Sequence, residues 1–132
     1  MKKLIVMFAL CVLGQTAHGE KVVSLQQKDL TDIPGKEGLM VVVEIAPGES
    51  VPKHRHNSDL FVYVLSGTIV AQVQGQPAKM LHAGETFVEA PADIHLDSRN
   101  PSKNLPTRLL VFFVKAKGIP PTVYLEGHSS SH

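Results

Sequence analysis

Apolar residues come in short bursts along most of this chain, and Gly or Pro interrupts them every few positions. Leu39 to Ile45 reads as one strand, closed by Pro47-Gly48, and Leu60 to Leu65 as another, closed by Ser66-Gly67. Thr68 to Gln74 sets Ile69, Ala71 and Val73 against Thr68, Val70, Gln72 and Gln74, the two-residue period of a half-buried strand. Ala78 to His82, Thr86 to Glu89 and Leu109 to Val114 complete the set. No later segment holds a helical period, so the pattern predicts an all-β sandwich or barrel. Phe61 to Leu65 and Leu109 to Val114 are apolar on both faces. In a small barrel one face points inward, so the other needs a cover, either the N-terminal strands or a second subunit. A homodimer is expected. The loop from Asn100 to Pro106 and the tail 118–132 are rich in Pro and Ser and are expected to be irregular.

The first 19 residues follow a different rule. Met1-Lys2-Lys3 is positive, Leu4 to Leu13 is an unbroken apolar run, and small and polar residues lead to Ala17-His18-Gly19. That order predicts a secretory signal peptide over 1–19, cleaved after Gly19, and a periplasmic or secreted product. The apolar run is shorter than the roughly 20 residues that a membrane helix needs. The single cysteine, Cys11, lies inside it, so the expected mature domain, 20–132, has neither a disulfide nor a thiol ligand.

Six histidines remain after residue 19: 54, 56, 82, 95, 128 and 132. His54 and His56 are two apart, so on an extended strand their imidazoles leave from one face and Arg55 from the other. Two imidazoles converging in this way suit a divalent metal, although paired surface histidines give the same spacing. The surroundings sharpen the picture. Gly48 stands six residues before His54, and Gly67 closes the strand after His56. A second block runs from Gly84 through Ala90-Pro91-Ala92 to His95, with Asn100 beyond.

These two blocks resemble the motifs of the cupin family, G(X)5HXH(X)3–4E(X)6G and G(X)5PXG(X)2H(X)3N. The resemblance spans about 38–115. It implies a double-stranded β-helix, the cupin or jelly-roll barrel, like that of small bacterial single-domain cupins of the quercetin-dioxygenase-like type. It also implies that His54, His56 and His95 hold a divalent metal (Fe, Mn, Zn, Ni or Cu) inside the barrel. There are departures. The glutamate ligand of the first motif falls at Leu60, and Asp59 beside it belongs to the opposite face of an extended strand. Ala90 and Ala92 replace the second motif's Pro and Gly, and Asn100 comes one residue late. Tyr63, Glu89 and Asp93 are acid–base candidates near the site, with Tyr63 out of phase for the interior. His82 is expected to face solvent, and His128 and His132 to belong to the tail.

Charge narrows the partners. The chain carries 13 basic and 12 acidic residues, and losing Lys2 and Lys3 leaves 11 against 12, with no basic run and no Trp. Nucleic acid is not an expected partner, nor is a membrane once the leader is gone. The expected ligand is a small molecule. The resemblance implies a metal-dependent, dioxygenase-like enzyme, with a non-enzymatic binding or sensing barrel as the alternative.

Overall fold

The computed structural model describes residues 15–17 and 20–125; most of the expected leader, and His128 and His132, lie outside the described residues. All regular structure among them is β. The strands are β1 (Gln15–Ala17), β2 (Glu20–Asp29), β3 (Lys36–Ile45), β4 (His54–His56), β5 (Ser58–Ser66), β6 (Thr68–Val73), β7 (Lys79–His82), β8 (Thr86–Glu89), β9 (Ile94–Arg99), β10 (Thr107–Ala116) and β11 (Thr122–Tyr124). They form two antiparallel sheets, ordered β1-β2-β3-β10-β5-β8 and β11-β4-β9-β6-β7. Chain neighbours such as β4 and β5 lie in different sheets, as in a jelly roll.

Alternation sets which face is inside. Along β5, Ser58, Leu60, Val62 and Val64 are buried, while Asp59, Phe61, Tyr63 and Leu65 are exposed. Along β10, Leu109, Val111 and Phe113 turn inward and meet Val41 and Ile45 of β3 in one core with Ile69 and Leu81 of the facing sheet. Burying a Val or Leu side chain contributes about 1.5–3 kcal/mol, so this cluster carries the fold without metal or disulfide. At one end of the inner face, Lys115 Nζ donates to Glu37 Oε1 at 2.5 Å and Gln27 Nε2 to Glu37 Oε2 at 2.9 Å. Lys115 first, and Gln27 next, hold the Glu37 carboxyl below its ordinary pKa.

Two of the motif positions are mechanical. Gly67 has φ of +77°, and a Cβ there would stand 2.6 Å from the Pro106 carbonyl oxygen, so the β5–β6 turn admits only glycine. In the second motif, Asp93 N donates to Ala90 O at 3.0 Å, closing a four-residue turn with Pro91 second. Proline's fixed φ suits that place, which explains why Ala is tolerated on either side of it. Asn100 is buried and holds the next loop: Nδ2 donates to the carbonyls of Ile45 (3.1 Å) and Leu105 (2.7 Å), and Oδ1 accepts from Ser102 N (2.9 Å).

Several features depart from the simple pattern. β2, β9 and β11 are strands that apolar periodicity did not announce, because each carries many polar residues and is defined by its partner. Within the tail, Thr122–Tyr124 is ordered as β11 by pairing with β4. The N-terminal strands widen the large sheet through β2–β3 pairing and leave the outer face of β5 uncovered.

Candidate metal centre

β4, β8 and β9 bring the polar groups together. His54 and His95 are directly paired across β4 and β9, and His56 lies two residues on, so the three imidazoles share the inner face. All three are buried, with ring centroids 5.0 Å apart for His54–His56 and His54–His95 and 5.5 Å for His56–His95. The tightest donor set among the described residues is His56, Glu89 and His95, whose ligand atoms all lie within 4.8 Å of one another. His54 stands beside this set at ring distance.

Glu89 brings the carboxylate to the cluster. Leu60, at the position of the first motif's glutamate, is buried, and its direct cross-strand partner on β8 is Glu89. The carboxylate therefore enters from the neighbouring strand at the same level of the barrel. Asp59 is exposed on the outer face, as strand alternation requires. The signal for Glu89 was its phase: Phe87 and Glu89 alternate inward along β8, away from exposed Val88.

Hydrogen bonds fix the imidazoles. His54 Nδ1 lies 2.8 Å from Pro52 O, and His56 Nδ1 lies 3.0 Å from Pro121 O. Carbonyls only accept, so both Nδ1 atoms carry the proton and both Nε2 atoms keep a lone pair, the usual support for a metal-binding imidazole. Burial lowers the His54 pKa to about 4, and burial likewise lowers that of His56, so both rings are neutral at pH 7.

The residues fit a divalent cation. Glu89 Oε2 lies 2.9 Å from His95 Nε2 and 3.3 Å from His56 Nε2. The shorter contact lacks hydrogen-bond alignment, which leaves Glu89 Oε2 and His95 Nε2 both buried without a hydrogen bond. A carboxylate whose side chain is 9% exposed, and whose ion-pair contacts among the described residues are with His56 and His95, is suited to hold a cation there. Two imidazoles and one carboxylate form a donor set suited to first-row transition metals, with His54 as a further nitrogen.

The other candidates do other work. Asp93 Oδ2 accepts from Ala90 N at 2.9 Å and braces the turn. Tyr63 is exposed, and His82 faces solvent with Nδ1 3.3 Å from Thr68 Oγ1. Sequence reasoning missed Tyr124 on β11. It pairs with His54, its ring lies 6.2 Å from that imidazole, and its hydroxyl donates to Glu20 Oε1. Burial, together with Glu20, raises its pKa above the ordinary phenol value.

The cluster opens on a cavity of about 340 Å³ walled by Val41, Ile45, Val62, Val111 and Phe113 on one side and by His54, His56 and Tyr124 on the other. A smaller pocket of about 80 Å³, lined by Gln76 and Lys79, reaches Glu89 and His95 from the other direction.

Comparison with known proteins agrees with this geometry. A family model described as a cupin domain matches residues 41–113. The chain is 28% identical over 81 residues to the tetracenomycin polyketide synthase protein TcmJ of Streptomyces glaucescens, an alignment covering 61% of this chain and 52% of that protein. The chain thus spans about half the length of that curated relative. Among solved structures it resembles an RmlC-like cupin from Shewanella frigidimarina (TM-score 0.62, 22% identity, 80% of this chain and 84% of that one). It also resembles oxalate oxidase in complex with glycolate (TM-score 0.63, 25% identity, 83% and 57%). The double motif, the two-sheet jelly roll and the family match together place this chain in the cupin family.

Proposed function

We propose that this cupin is a metal-dependent enzyme that acts on a small organic molecule, with dioxygenase-like chemistry. The observation that carries the reading is the pair of buried, unbonded ligand atoms, Glu89 Oε2 and His95 Nε2, converging with His56 Nε2 beside a cavity. A bound metal would supply Lewis acidity and open coordination positions for substrate and O₂. The chain's own residues would do the rest. His56, His95, Glu89 and His54 would hold the ion, and the apolar wall would exclude water. Tyr124 and Glu20 would remain as the proton-carrying pair within the cavity. The oxalate oxidase likeness supports metal-centred chemistry in this fold without naming a substrate.

The test is elemental analysis of the purified protein. About one equivalent of Fe, Mn, Zn, Ni or Cu per chain, lost in His95→Ala, is expected. A protein that neither retains nor takes up any of these ions would sink the proposal.

The same reading places the protein outside the cytoplasm, on the strength of the positive, apolar and small-residue order of 1–19. A mature N-terminus at Glu20 in exported material is expected; an intact Met1 would oppose it. The reading also makes the protein a homodimer. Cross-strand rows on the outer face of the large sheet run Met40–Phe112–Phe61–Val88 and Val42–Leu110–Tyr63, with Phe61 54% and Val88 69% exposed. Contiguous apolar surface of this kind calls for a partner. Sedimentation should give twice the chain mass, and Phe61→Glu should give the monomer; a wild-type monomer would refute the dimer.

A further inference from the structure

Two cavities of different size reach the donor cluster, and Ala71, Phe87 and Glu89 line both of them. The larger, about 340 Å³, has His54 and His56 in its wall, and the smaller, about 80 Å³, has His95. The smaller pocket is bounded by β6, β7, β8 and β9; β7 and β8 are edge strands of the two sheets, so it occupies a seam between them. Gln76, Pro77 and Lys79 in its lining are exposed, whereas His95 is buried, so the lining runs from solvent to the donor cluster. Its volume is about half that of the cavity of about 150 Å³ that holds a benzene ring, yet several times the roughly 10–15 Å³ that one water needs. An occupant of a few atoms fits, and a ring does not. The mouth is preformed: Gln76 N donates to Val73 O at 3.0 Å, Gln74 N to Ile94 O at 2.8 Å, and Gln72 Nε2 to Gln76 O at 3.2 Å.

Resting on the metal-enzyme reading above, we propose that the smaller pocket is a separate entry for a two- or three-atom ligand of the metal, dioxygen in that chemistry. The organic substrate takes the larger cavity. Val73, paired directly with His95 across β6 and β9, sets the bore of the entry. An organic molecule seated against Val41, Ile45 and Val111 closes the larger cavity to a second molecule. The seam leaves the His95 and Glu89 side of the cluster open while that molecule is in place. Gln76 and Lys79 also make the mouth polar, which favours a hydrated small anion over passage along the aliphatic wall of the larger cavity.

The experiment mixes Cu(II)-loaded full-length protein with azide in a stopped-flow instrument and follows association by the azide-to-copper charge-transfer band. Hexanohydroxamate, too large for the smaller pocket, reports the larger cavity by calorimetry. Elemental analysis gives the copper content of every sample first. Val73→Phe puts a ring into the bore, and Lys79→Trp narrows the mouth from an exposed position. In each, azide must wait for a side chain to move, so its association should slow by about tenfold or more, with hexanohydroxamate affinity held within about threefold. Val43→Phe, in the larger cavity, should do the reverse, weakening hexanohydroxamate by about tenfold or more and leaving the azide rate within about twofold. If Val73→Phe lowers the copper content, Lys79→Trp alone decides. An azide rate unchanged by the small-pocket variants, or slowed as much by Val43→Phe, overturns the proposal and leaves the metal reading intact. If no sample takes up copper, the metal reading fails and the separate entry with it.

Discussion

The register that sets Leu60 opposite Glu89 can be tested by moving the carboxylate from one strand to the other. Glu89→Leu removes the anionic donor and leaves neutral imidazoles. Since even residues that merely support a ligand change metal affinity by about 10–100-fold, the loss here should exceed about 100-fold. Leu60→Glu alone adds a second carboxylate directly across the strand pair, where Cβ atoms lie about 5 Å apart. At an effective dielectric near 20 two such charges repel by about 3 kcal/mol. Losing a leucine that is 2% exposed costs about 2 kcal/mol more. Metal-free Leu60→Glu should therefore be destabilised by about 5 kcal/mol in urea unfolding with a chelator present. Leu60→Glu/Glu89→Leu removes the repulsion and should regain about 3 kcal/mol of that. The decisive readout is metal affinity by competition with a chromophoric chelator. The double variant should return to within about tenfold of wild type, although it contains the substitution that by itself costs more than 100-fold. If the double binds metal no better than Glu89→Leu, the two positions do not address the same ion, and the reasoning from register is wrong.

Three further outcomes follow from the geometry. His54 is held neutral by burial, its folded pKa of about 4 lying below the unfolded 6.5. The unfolded chain takes its proton first as pH falls, so metal-free stability should be full above about pH 6.5 and drop by up to about 3 kcal/mol towards pH 4. Denaturation of His54→Gln across that range should show a shallower slope, and an equal slope would contradict this. Asn100→Ala removes three hydrogen bonds and leaves the carbonyls of Ile45 and Leu105 without that donor, costing about 2–4 kcal/mol in thermal or urea unfolding; a change below about 0.5 kcal/mol would contradict it. Gly67→Ala forces a Cβ against the Pro106 carbonyl in left-handed backbone and should cost at least about 2 kcal/mol, whereas alanine at Gly35, also left-handed but with open space around its Cβ, should cost about 1.

The barrel core was legible because its strands carry their own instructions. β5 and β10 alternate cleanly, and glycines at 48, 67 and 84 mark turns that left-handed backbone requires. The edge strands were not, since β2 and β11 gain their order from β3 and β4 and have little apolar content of their own. Glu89 shows the same limit at the site. Motif counting measures distance along one strand and found Leu60 where a carboxylate was sought. The carboxylate lies sideways, across a pairing of β5 with β8 that local sequence does not encode. Tyr124 was hidden for the same reason, being brought by strand pairing beside His54, 70 residues away along the chain.

The short β11 ties the end of the described chain to the metal cluster. It pairs with β4, its preceding Pro121 carbonyl accepts the His56 Nδ1 proton, and Leu125 N donates to Lys53 O at 2.9 Å. Such a three-residue clasp is the kind of segment that opens by local unfolding long before the barrel does. Peeling it away would free the His56 ring to turn and would strip Thr122 and Tyr124 from the cavity wall in the same motion. Because linkage is reciprocal, an ion that binds only the clasped form must also hold the clasp shut. Protease susceptibility at 121–125 and amide exchange at 122–125 then become a gauge of metal loading, and β11 becomes the latch of the cavity.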